Sequence, residues 1–278
     1  MLKLLGARSL GLRDTPAVLR ALDTDPVAAC MVVSRVEEFG VDPRFLRGEL
    51  WSRGKPAESL CFSGVNLIPL RGGDDDLRSF ADRACRSPRL CSSLVGRAEL
   101  VLPLWDLLAA DWGPPREVRA EQPMLVLRGP SACKPDPLTR RVRIDEFEMY
   151  VDAAVKMFIE EVGVDPCAHD GGRSYRYRVR SLIESGRAWA RFEDGKVAFK
   201  AEVGSMSSRV GQIHGVWVAP EFRGCGIGAG GTATIAESIS RAGRLPSLYV
   251  NSYNVAARTM YDKVGFSQVA TFATVLVD

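Results

Sequence analysis

The chain has 278 residues, 46% of them hydrophobic, and carries 37 Lys and Arg against 34 Asp and Glu. That length and apolar content suffice for two domains or one large one, while a net charge of +3 with interspersed signs argues against a nucleic-acid-binding surface or an acidic tail. Seven cysteines without Cys-x-x-Cys spacing speak against zinc, and only two histidines, His169 and His214, exclude a histidine-rich metal site.

Residues 1–12 are mildly apolar but broken by Lys3, Arg8 and small residues, too short to span a membrane. With an odd cysteine count and no secretory signal, reduced thiols in a cytoplasmic protein are expected. Residues 15–22 and 27–39 read as helices, and 48–53 and 60–70 as strands. Asp74, Asp75 and Asp76 cap and charge the start of a helix running to about Cys85. A strand over 89–95, a helix over 98–110 and a break at Trp112-Gly113-Pro114-Pro115 follow. Residues 124–127 form a short buried strand that closes a first domain or opens a second, and the proline-rich stretch 129–137 reads as linker. The expected division is a domain over 1–128, a linker over 129–139 and a second domain over 140–278.

In the second half, Phe147, Tyr150, Val151, Ala154, Val155, Phe158, Ile159 and Val162 recur at helical spacing, and Gly163 closes that helix. A helix over 174–185 ends at Gly186, and strands over 187–192 and 196–205 flank the turn Glu193-Asp194-Gly195. The basic and aromatic run Arg173 to Arg180 would line an anionic acceptor's site, stack on RNA, or simply be a solvated face. A strand over 210–218 leads through Pro220 and Arg223 to glycines at 224, 226 and 228, then to a helix from Ala229. Alternating glycines let a ligand approach the backbone. A helix start offers unpartnered amides and the positive end of the dipole, so the bend suits a phosphate or pyrophosphate. Neither the dinucleotide fingerprint nor the Gly-Lys-Ser/Thr phosphate loop is met. Downstream come a strand over 248–251, Asn254 as N-cap, and a helix whose Ala257, Met260, Tyr261 and Val264 share a face. Gly265 stops that helix, and a last strand begins at Phe266.

Two of these segments resemble the GNAT superfamily of acyl-CoA-dependent N-acyltransferases, and the resemblance covers roughly residues 140–278. One is Arg223-x-x-Gly226-x-Gly228 after a Val-x-Val strand; the other is Asn254-x-x-Ala257-x-x-x-Tyr261 ending in Lys-Val-Gly-Phe, about 30 residues on. The resemblance implies a mixed α/β fold with a mostly antiparallel sheet, and acetyl-CoA as acyl donor. It implies that the backbone of Val216, Trp217 and Val218 pairs with the pantetheine arm. Arg223 and the amides of Gly224, Cys225, Gly226, Ile227 and Gly228 would hold the pyrophosphate, and Asn254 would bond the pantetheine. Tyr261 would protonate the departing thiolate, unless it is only an aromatic packed on the sheet.

The general base stays open. Many GNAT enzymes place a glutamate eleven positions before the loop arginine, where this chain has Gln212. His214, two residues on, has a suitable unperturbed pKa, and Glu202 on the neighbouring strand is an alternative. The structural alternatives are a packed core histidine and a solvated strand residue, and a water chain can do the same job. A helix start lowers a thiol's pKa, but in this motif the position of Cys225 faces the phosphate edge, away from the thioester, which argues against a covalent route through it. Residues 1–120 approximate a degenerate second lobe like that of actinobacterial tandem GNAT proteins, with Arg71-Gly72-Gly73 as the remnant of a phosphate loop; an unrelated α/β domain is the alternative. The function so read is acetyl transfer to a primary amine of a small molecule, amino acid, peptide or protein, with neither nucleic acid nor membrane as partner. A catalytically silent acyl-CoA-binding sensor or scaffold is the alternative.

Overall fold

The computed structural model describes residues 6–168 and 170–277, so His169 lies outside the described residues. In chain order the strands are β1 (Arg8–Ser9), β2 (Gly48–Ser52), β3 (Leu60–Gly64), β4 (Leu67–Arg71), β5 (Ser93–Arg97), β6 (Glu117–Val126), β7 (Arg140–Arg141), β8 (Ala188–Glu193), β9 (Lys196–Met206), β10 (Val210–Val218), β11 (Leu245–Tyr249) and β12 (Ser267–Leu276). The helices are α1 (Thr15–Leu22), α2 (Cys30–Phe39), α3 (Pro43–Leu46), α4 (Asp74–Cys85), α5 (Ala98–Trp112), α6 (Phe147–Val162), α7 (Arg173–Glu184), α8 (Ile227–Arg241) and α9 (Val255–Val264). The result is the mixed α/β arrangement with mostly antiparallel pairing that the resemblance implies.

The chain forms two compact units. The first takes the residues up to Met124 together with Tyr249–Tyr253 and the C-terminal stretch from Gln268. Its strands run in the order β1-β2-β3-β4-β5-β12-β6. Val18 and Leu22 of α1 and Val32, Val33 and Val36 of α2 pack on one side with Leu50, Phe62, Ile68 and Phe272. Leu77 and Phe80 of α4 and Leu104 and Leu108 of α5 pack on the other with Cys61, Leu67, Leu94 and Val275. Strands β4 and β5 run parallel and meet only at Leu67 and Leu94. The helix after β4 begins with three aspartates, and Asp76 accepts the Gly73 amide at 3.0 Å.

Three sequence expectations in this unit need correction. Residues 60–70 are two strands, because the chain turns at Val65 and Asn66, where the Gly64 amide donates to the Asn66 carbonyl at 3.0 Å. Ser63, Gly64 and Asn66 mark the turn, but the apolar arms on either side read as one continuous run. The next strand starts at Ser93 rather than at residue 89. Strand β6 reaches back to Glu117, its first half concealed by charged residues and an exposed Val118.

The second unit takes Leu125–Leu248 and Asn254–Ser267, with strand order β11-β10-β9-β8-β7. Helices α6 and α7 cover one face: Tyr150, Ala154, Met157, Val179 and Leu182 pack with Ala188, Ala190, Val197 and Trp217. Helix α8 covers the other. A Cβ on Gly231 would lie 2.6 Å from the Phe199 ring, so the absence of a side chain there sets how closely α8 approaches β9. Strand β11 begins before Pro246, which sits inside it opposite Gly211; its carbonyl accepts from the Leu127 amide at 3.0 Å. Reading Pro246 as punctuation displaced the strand expected at 248–251.

Candidate active site

Strand β10 parts from β11 in its second half and bulges away from β9 before pairing with it again. Its parallel ladder with β11 covers only Val210, Gly211 and Gln212. Its ladder with β9 is interrupted between His214, opposite Glu202, and Trp217, opposite Lys200. Gly215 and Val216 therefore bulge against Ala201, and Gly215 takes a φ of 55°. Such a bulge re-aims backbone groups. The edge of Gly215–Val218 facing β11 is left outside that ladder.

The chain then turns through Pro220–Phe222 and enters the glycine bend. Gly224 and Gly226 have φ of 79° and 80°, the left-handed region that favours glycine. A Cβ on either would meet no other atom within 4 Å. Helix α8 starts at Ile227 with no side-chain cap on its first turn, so its leading amides point into that open space. A Cβ on Gly228 would stand 3.2 Å from Val218 Cγ2, which packs the first turn of α8 against the end of β10. Cys225 is exposed, its Sγ 3.7 Å from the Arg223 carbonyl.

Arg223 departs from the expected arrangement. Its Nε donates to the Val218 carbonyl at 3.0 Å, and its Nη2 donates to both carboxylate oxygens of Glu160 at 2.7 and 2.8 Å. Trp217 Nε1 donates to the same carboxylate at 3.0 Å. Burial raises the Glu160 carboxyl, but Trp217 and Arg223 outweigh it and hold it below the usual range. The guanidinium thus ties β10 to α6.

Helix α9 is capped by Asn254, whose Oδ1 accepts the Ala257 amide at 3.1 Å. It lies beside α8, with Thr232 Oγ1 3.8 Å from Met260 Sδ. Tyr261 is buried, edge-on to Phe266 at 6.0 Å. Burial first, and the Glu161 carboxylate second, push its phenol well above the ordinary value, so the group stays protonated.

Glu202 and His214 share one face of the sheet. Arg178 of α7 donates to Glu202 Oε1, and Lys200 Nζ lies 3.7 Å from Oε2. Burial raises the Glu202 carboxyl, yet Arg178, Lys200 and His214 together hold it low. The His214 ring lies over Gly204, where a Cβ would fall 2.4 Å from Nδ1, and Nε2 contacts Gln212 Oε1 at 2.8 Å. Burial pushes the imidazole down to about 4, against a smaller opposing pull from Glu202. A folded-state pKa below the unfolded value means the unfolded chain binds the extra proton first. This contribution to stability is complete above about pH 6.5 and is lost as pH falls toward 4. Thermal melts across that window should therefore show a smaller loss of melting temperature for His214→Gln than for the parent; equal losses would contradict the assignment.

The basic run on α7 is not a free cationic surface. Arg176 pairs with Glu148, Arg178 with Glu202, and Arg180 with Glu184 at 4.0 Å, while Tyr175 donates to the Ala154 carbonyl at 3.0 Å. Of the residues that matter here, Glu160 and Gly215 gave no sequence signal. Lys200 did: it is a lone charge inside the apolar run Val197-Ala198-Phe199-Lys200-Ala201. Among the described residues no cluster suited to a metal ion occurs, and no helix is long and apolar enough to cross a membrane.

Known structures align along almost the full length. A GCN5-related N-acetyltransferase from Sphaerobacter thermophilus is 16% identical, with 97% of this chain and 94% of that one covered at a TM-score of 0.58. A GNAT-family acetyltransferase from Colwellia psychrerythraea is 12% identical, with 98% and 99% covered at 0.57. The chain has the GNAT fold. A tandem GNAT protein from the clavulanic acid biosynthesis pathway, 13% identical, covers 96% of the chain with 97% of its own at a TM-score of 0.56, in keeping with two GNAT-like lobes. At these identities the likeness establishes the fold. The FR47-like protein family matches residues 197–275, the part of the GNAT fold holding β10, the glycine bend and α9. A domain of unknown function, DUF4081, matches residues 48–150. No curated protein matches the sequence.

Proposed function

We propose that the second unit binds acetyl-CoA and transfers its acyl group to a primary amine. One observation carries this reading: a strand edge released from its parallel neighbour runs into a side-chain-free bend at an uncapped helix start. The amides of Gly224, Cys225, Gly226, Ile227 and Gly228 hold the pyrophosphate, supported by the dipole of α8. The backbone of Val216, Trp217 and Val218 aligns the pantetheine arm, and Asn254 adds a polar contact beside its capping bond. An amide of the bulged strand polarises the thioester carbonyl. Tyr261, held neutral by burial, gives its proton to the departing thiolate.

The base is assigned differently from either sequence candidate. Glu202 is buried and shared between Arg178 and Lys200. His214 is neutral but, with its pKa near 4, a weak proton acceptor. We therefore assign neither side chain as the base: a water chain carries the amine proton out to bulk solvent, with both side chains shaping the site. A silent acyl-CoA-binding module is favoured by Gln212 standing where a glutamate would act. Release of free CoA in the presence of a mixed amine library separates the two readings: amine-dependent release supports transfer, and binding without release supports the silent module. The acceptor is a small amine, amino acid, peptide or protein lysine. The seven unpaired cysteines suit a reducing cytoplasm.

In this reading Arg223 works mainly by fixing the bend, and Glu160 competes with the pyrophosphate for it. Glu160→Gln should tighten CoA binding a few-fold at low salt, the modest size expected of a half-exposed ion pair, and steepen its salt dependence. Weaker binding in a calorimetric titration would show that the Glu160 contact preorganises the site instead.

A further inference from the structure

Lys200 is fully buried, and among the described residues its Nζ has no hydrogen-bond partner. A buried ammonium is costly and is normally both paired and hydrogen-bonded. Here its nearest carboxylate, Glu202, stands 3.7 Å away with its other oxygen engaged by Arg178. The Tyr150 ring lies 5.5 Å from Nζ. An apolar side chain of the same length would fill the space without that cost, and such replacements of buried ions are often neutral or stabilising.

The placement of the amine gives it a use. A Cβ on Gly215 would fall 2.9 Å from Nζ and 3.3 Å from Met157 Cε, so the ammonium approaches the backbone at the point where β10 bulges away from β9. Arg178 and Lys200 face the carboxylates of Glu202 and Glu161, with His214 neutral; burial lowers the Lys200 pKa, and Glu202 and then Glu161 oppose that shift and favour the charged amine. The region behind the bulge is dry, so the ammonium of Lys200, the charge nearest the Gly215 backbone, acts there through a low dielectric. Met157 and Gly215 cover the ammonium, which leaves no place for a free anion beside it.

We infer that Lys200 is a positioning residue for acyl transfer, its ammonium supplying from beneath the β10 bulge the positive potential that polarises a thioester carbonyl on that strand's open edge. The inference rests on the acyl-CoA reading of the second unit. Its test is the infrared band of carbonyl-labelled acetyl-CoA bound to the parent protein and to Lys200→Met and Lys200→Gln. The parent should hold the band at lower wavenumber than in water, and both variants should return it toward the free position. In the variants turnover should fall about tenfold, less than for loss of a direct oxyanion donor, with acetyl-CoA affinity within about twofold, since a potential beneath the strand polarises the carbonyl rather than grips the ligand. An unshifted band in the parent, or an unchanged shift in either variant, overturns the role of Lys200 while leaving the acyl-CoA reading intact. Failure of the parent to bind acetyl-CoA overturns that reading itself. If neither variant folds, Lys200→Arg, which keeps a cation under the strand, takes their place: a band displaced from the parent's position supports the role, and a band identical to the parent's overturns it.

Discussion

Gly226→Val should remove measurable acetyl-CoA binding while the protein stays folded. Gly226 holds a φ of 80°, and a Cβ there would point into open space. The fold loses about 1–2 kcal/mol from placing a side chain in the left-handed region. Binding loses far more, because the new methyl groups stand where the diphosphate must meet the amides of the bend. Hydrogen bonds to a charged group contribute about 1.5–3 kcal/mol each, so losing two weakens affinity by at least about a hundredfold. Calorimetry on the variant checks this, with a thermal melt as the control for folding. Affinity within tenfold of the parent would count against the cradle.

Tyr261→Phe should leave acetyl-CoA affinity nearly unchanged and lower turnover about a hundredfold, the scale of general acid catalysis. The ring and its edge-on contact with Phe266 survive the change, so packing is kept. What is lost is a proton donor that burial keeps protonated across the working pH range. Turnover equal to that of the parent, with amine saturating, would remove Tyr261 from the acid's role. A parallel fall in affinity would make it a packing residue for the ligand.

Much of the second unit was legible because local chemistry and tertiary packing agree there. Strand β10 could be read to the residue, and Asn254 and Gly265 announce both ends of α9. The glycine bend was legible for the same reason, since only glycine suits two left-handed positions in an open turn. What stayed hidden depends on partners distant in sequence. The hold of Glu160 on Arg223 joins residues 63 positions apart. The pairing of Arg178 with Glu202 joins a helix to a strand and turns a basic run into a neutralised one. The β10 bulge was invisible because Gly215 looks like any other strand glycine until the registers on either side are known. In the first unit, the hairpin at Val65 and Asn66 is signalled by Ser63, Gly64 and Asn66, a turn signal that the apolar arms on either side outweigh when the run is read as one strand.

The same physics separates the two units as ligand sites. In the first, β4 also parts from β5 and leads through Gly72 and Gly73 to a helix. There Asp76 occupies the Gly73 amide, and Asp74 and Asp75 add negative charge where a diphosphate would lie. The most direct test is a calorimetric titration of the intact chain with acetyl-CoA. The expected result is saturable heat with one site per chain; no heat with either acetyl-CoA or CoA would contradict the assignment of the glycine bend as a diphosphate cradle.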